Sequence, residues 1–139
     1  MPRSRVLAAV VVAVHAVAGP AWASDPGVAR GLALGERAFG PAPCGIVTVG
    51  RGDFVDPAIL AGSDPAACRI LLSRRWVREM TRAMRCTLVL HEYGHLTGHP
   101  HSSDPDSVMY AEYRRADPRC VVSRAGPGRG TSGSARTGS

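Results

Sequence analysis

The chain is 139 residues long with a net charge of +6, yet residues 24–123 carry twelve arginines against eleven acids, and the other five basic residues sit at the two ends. A nucleic-acid binder carries its positive charge on the folded surface, so no nucleic-acid partner is expected. Between the ends, about 100 residues form one small domain, which buries a modest core and gains from cross-links.

In chain order, Arg3 and Arg5 precede a mostly apolar run from Val6 to Ala18, a Gly19-Pro20 break and the small-x-small triplet Ala21-Trp22-Ala23. This layout predicts a secretory signal peptide over 1–23, cleaved after Ala23, with a secreted product. The apolar run is shorter than the roughly 20 residues needed to cross a bilayer, so no membrane span is expected in the mature chain. Helical spacing of apolar residues predicts a first helix over 27–39. "CGIVTVG" (44–50) predicts a strand, the Gly-, Asp- and Pro-rich stretch 51–67 a loop, and "CRILLS" (68–73) a second strand. A long helix is expected to begin between 74 and 81, capped by Ser73 or Thr81, and to stop at Gly98. The Gly/Ser/Arg-rich 124–139 has nothing to bury and reads as a disordered tail. The folded domain therefore spans 24–123.

Cys44, Cys68, Cys86 and Cys120 all fall in that domain. An even count in a small exported chain predicts two disulfides. Three pairings are possible; Cys44–Cys68 with Cys86–Cys120 is preferred because each bond joins neighbouring segments, though sequence alone leaves the choice open. No C-x-x-C spacing supports a cysteine zinc site.

Four of the five histidines fall in "HEYGHLTGHPH" (91–101). On a helix, His91 and His95 share one face, while Glu92 is turned about 100° away and can reach a water without ligating the metal. Gly98 lets the chain turn back so that His101 approaches the same ion. His91, His95 and His101 thus fill the three ligand positions of H-E-x-x-H-x-x-G-x-x-H, leaving a fourth open as a catalytic zinc (Zn2+) requires, with Glu92 as general base.

This stretch, with "SSDPDSVMY" after it, resembles the zinc helix and Met-turn of the metzincin endopeptidases, and most of all the matrixins. Ser102, Pro105, Met109 and Tyr110 follow the matrixin pattern. The resemblance implies an α+β fold: a minimal zincin domain, with a small mixed sheet packed on an active-site helix and a Met-turn subdomain. It also implies Met109 as the apolar base under the imidazoles, and strand 68–73 as the cleft rim that pairs with an extended substrate. The activity implied is hydrolysis of protein or peptide substrates by a zinc-activated water, in a secreted monomer. Matrixins have a longer sheet region with a structural zinc and calcium sites. Here residues 24–85 contain no histidine, so that structural zinc is not expected and disulfides take over its role. Cys44 in "PAPCG" is read as a disulfide partner rather than a metal-blocking thiolate.

The plainer assignments are an exposed rim position for His99, turn formation around Pro105 for Asp104 and Asp106, and packing for Tyr110. "RRWVR" (74–78) reads as a solvated approach to the long helix, and Tyr113 receives no role. Two other classes compete with the enzyme. One is a disulfide-stapled zinc-binding module with little or no proteolytic activity. The other is a cationic surface binder acting through its Arg/Gly tail.

Overall fold

A computed structural model describes residues 24–122; the expected signal peptide (1–23) and tail (124–139) lie outside the described residues. Helix α1 (Pro26–Phe39) starts where Asp25 caps it, its carboxylate accepting from the backbone N–H groups of Gly27 and Val28 at 2.9 and 3.0 Å. Pro26 costs nothing in the first turn, where its missing N–H would have no partner.

Three strands follow: β1 (Thr48–Gly52), β2 (Ala61–Asp64) and β3 (Arg69–Ser73). The sheet order is β1-β3-β2, with β1 parallel and β2 antiparallel to the central β3. β2 lies inside the stretch expected to be loop. It lacks β-branched residues, and its strand character comes from pairing with β3 rather than from its own propensity. β1 begins four residues later than expected, because Gly45 adopts φ +102° and its N–H bonds back to Ala42 in a turn.

Helix α2 (Arg82–Leu96) is capped by Thr81, whose hydroxyl accepts from the Met84 N–H at 3.1 Å. Residues 74–80 form hydrogen-bonded turns on Ser73 and Trp76 rather than a lead-in to the helix. A short 3-10 turn, η1 (Pro118–Cys120), closes the described chain.

α2 packs against β2 and β3 on one side and against α1 on the other. Close approach of the helices depends on Gly27, Gly31 and Gly35, four residues apart on one face of α1. A Cβ at Gly31 would lie 2.7 Å from the Cys86 carbonyl oxygen and 2.8 Å from the Val89 Cβ. Ile70 and Leu72 of β3 and Val89 of α2 are fully buried at the centre of the core. Burial of each such side chain contributes about 1.5–3 kcal/mol.

Two disulfides brace this frame, Cys44–Cys68 and Cys86–Cys120. The first links the turn before β1 to the start of β3. The second joins α2 to η1. The result is a small α+β domain of two helices and a three-stranded mixed sheet, as the sequence led us to expect. Among the described residues no helix is long and apolar enough to cross a membrane.

Candidate metal centre

The cleft face of α2 carries His91, Glu92 and His95. The helix ends at Thr97, and the next two residues close it: the Gly98 N–H bonds to the His95 carbonyl and the His99 N–H to the Gly94 carbonyl, both at 3.0 Å. This double closure requires a left-handed residue at 98, and glycine supplies it with φ +87°. The chain reverses there and returns His101 to the two helical histidines.

The Nε2 of His95 lies 3.0 Å from the Nε2 of His91 and 3.0 Å from the Nε2 of His101. One ligand atom from each of the three lies within 4.8 Å of the others. His91 Nδ1 sits 2.7 Å from the Val108 carbonyl, and His95 Nδ1 sits 2.8 Å from the His99 carbonyl. A carbonyl only accepts, so each Nδ1 carries the proton and each facing Nε2 presents a lone pair. Lone pairs aimed at one another repel. A cation between them turns that repulsion into ligation, and imidazole nitrogens suit zinc.

Burial, and after it the neighbouring His95 and His101, hold His91 below the ordinary histidine range, against the opposing hydrogen bond to Val108. A neutral imidazole is the form that ligates metal. His99 points elsewhere: its ring packs on Phe39 at 4.7 Å between centroids, and its Nδ1 lies 3.0 Å from the Thr97 hydroxyl. Its backbone carbonyl, not its imidazole, serves the centre.

Met109 lies under this helix. A Cβ at Gly94 would collide with its sulfur, so the glycine makes room for the thioether. The loop carrying Met109 is folded back by the Ser102 N–H to Met109 carbonyl bond of 2.8 Å. Within that loop Asp104 accepts from the Asp106 N–H at 2.9 Å, the turn geometry expected around Pro105. Asp106 also pairs with Arg115.

Glu92 is only 6% exposed, and burial lifts its carboxyl to about 7, against a hydrogen bond from Ser63 that works to lower it. The three histidines and Glu92 open onto a cleft of about 590 Å³. One side of it is the stretch Ala58–Gly62, and the other runs from Pro105 through Pro118. Tyr113 lines this second side and is packed against the core; burial pushes its phenol up. At the far end the wall is held by the Asp117 N–H, which donates to the Thr87 hydroxyl at 2.9 Å, and by Cys120.

The strand beside the cleft is β2, not 68–73. β3 is central, with β1 on one flank and β2 on the other, so neither of its edges is open to a substrate. The sequence signal for β2 was weak because only its pairing partner makes it a strand.

Residues 61–124 match the matrixin family model. The match begins at the first residue of β2 and extends past Cys120, leaving α1 and β1 outside it. It supports a matrixin-like family, whose members are zinc metallopeptidases, over a longer stretch than the histidine motif and Met-turn alone. No curated protein and no solved structure gave a match. Among the described residues no second group of metal-binding side chains accompanies the three histidines.

Proposed function

We propose that this domain is a secreted, zinc-dependent endopeptidase. The observation that carries the reading is the convergence of three imidazole nitrogens, two of them fixed as lone-pair donors by backbone carbonyls, beside a buried carboxylate on an open cleft. His91, His95 and His101 would hold the ion. When bound, zinc supplies a Lewis acid that polarises a peptide carbonyl and acidifies water.

The protein's own groups do the rest. Glu92 takes the proton of the attacking water and passes it to the leaving amine, so its carboxyl must change protonation within one turnover. In the metal-free protein, burial raises that carboxyl to about 7. The edge of β2 offers backbone groups to an extended substrate, which would add as a further strand and lie across the histidines. Met109 forms the apolar floor. The disulfides favour an oxidising, extracytoplasmic setting, in line with removal of residues 1–23 as a signal peptide.

The test is incubation of purified protein with unfolded protein substrates, with and without a chelator, beside the Glu92→Ala variant. Chelator-sensitive cleavage that the variant lacks is the expected result. The three-stranded sheet and a family match that starts only at β2 favour one other reading, a zinc-binding module that cuts nothing. Stoichiometric zinc without cleavage would establish that reading instead.

A further inference from the structure

The core face of β2 carries one polar side chain whose presence packing alone does not explain. Side chains alternate along a strand, and residues directly opposite in an antiparallel pair point to the same face. Ala61 pairs with Leu72 and Ser63 with Ile70, and both partners on β3 are fully buried. Gly62 faces the other way, where the Phe54 ring would lie 3.0 Å from a Cβ. Ser63 therefore points toward α2, and there its hydroxyl meets the carboxylate of Glu92 in a hydrogen bond. An apolar residue would suit the face at this register position.

We infer that Ser63 is a positioning residue for Glu92, its hydroxyl holding the carboxylate in a fixed orientation between the edge strand and the three histidines. The inference rests on the endopeptidase reading above and deepens it. A Glu92 side chain has three rotatable bonds, and it borders the 590 Å³ cleft from within the buried face of α2. A donor on a hydrogen-bonded strand removes that freedom without touching substrate or metal. It also links the two sides of the chemistry. The strand that would bind the substrate backbone is the one that aims the base, so strand and base keep a constant offset.

The experiment uses the full-length, zinc-loaded protein with Ser63→Ala and Ser63→Thr, measuring kcat, KM and zinc content, together with crystal structures of wild type and both variants. Loss of an outer hydrogen bond to a site group typically lowers activity 10–100-fold, so Ser63→Ala should lower kcat at least roughly tenfold. KM and bound zinc should hold, and threonine, which keeps the hydroxyl, should restore kcat. The Glu92 carboxylate should leave its wild-type orientation in the alanine variant and recover it in the threonine variant. Wild-type kcat in Ser63→Ala, or a change confined to KM, overturns the inference. Should wild type cleave no substrate, the endopeptidase reading fails by itself, and the crystal structures still decide the matter: a carboxylate that keeps its orientation in Ser63→Ala overturns the positioning role.

Discussion

The two faces of α2 obey opposite rules. Toward α1, Cys86, Val89 and Tyr93 meet a stripe of glycines so closely that no added atom fits. Toward the cleft, Leu88, His91, Glu92 and His95 border open volume. One face is built by excluding space, the other by keeping it. A fifteen-residue helix thus joins the most intolerant packing in the domain to the candidate centre. Substitutions on the packed face should change stability and leave chemistry alone; those on the cleft face should do the reverse.

The sharpest separation comes from Glu92→Ala. Proton transfer by a positioned group contributes typically 10²–10⁴-fold, so kcat should fall by about that factor while bound zinc, measured by metal analysis, is retained. His95→Ala should instead lose the metal. If both variants lost zinc equally, the division between ligand and base would collapse.

The disulfides probe the boundary between the faces. Chain-entropy arguments assign about 4 kcal/mol to Cys86–Cys120, with its separation of 34 residues, and about 3.5 kcal/mol to Cys44–Cys68, with 24. Their stability effects should therefore be similar in denaturant titrations of the paired serine variants. Their effects on the cleft should differ: only loss of Cys86–Cys120 frees the wall at 110–118, which should raise KM.

A third measurement uses pH. Glu92 has its folded value raised to about 7 by burial, so its neutral form is the one the fold favours. Its contribution to stability is full below the unfolded value near 4.5 and is lost as pH rises through 7. For metal-free protein this amounts to about 3 kcal/mol at most between those limits. Glu92→Gln should remove that slope and stabilise the metal-free protein at pH 8, while matching wild type at pH 4. His91, held low by burial, opposes this, with stability lost as pH falls below its unfolded value of 6.5. An unchanged slope in the Gln variant would show that the carboxyl is solvated.

Smallest is Gly31→Ala on the packed face. Its Cβ would meet a backbone carbonyl, which cannot swing aside, and overpacking of this kind costs about 1–3 kcal/mol. Thermal unfolding should show a Tm drop of roughly 10 °C for a domain of this size, with kcat unchanged.

Most of the candidate centre was legible in the sequence because it is local. His91, Glu92 and His95 need only helical periodicity, and His101 needs one glycine with positive φ, which Gly98 provides. The partners of that centre were not legible. Ser63 lies 29 positions before Glu92 and meets it only because β2 pairs with β3, a non-local event that a Gly- and Asp-rich tetrapeptide does not announce. The Val108 and His99 carbonyls that orient two imidazoles are backbone atoms, silent in any reading of residue types. The expectation that 68–73 would receive substrate failed for the same reason: without β2, the central strand of the sheet looks like its edge. The glycine stripe on α1 was visible as composition, but its purpose depends on the helix that lies across it.

Cys86 and Cys120 bracket every residue of the candidate centre, from His91 to Met109, within one covalent ring. A single backbone cut anywhere between them severs the chain without releasing a fragment. A nicked molecule would therefore run at full mass until a reductant separates its halves, with its histidines still tied into one covalent ring.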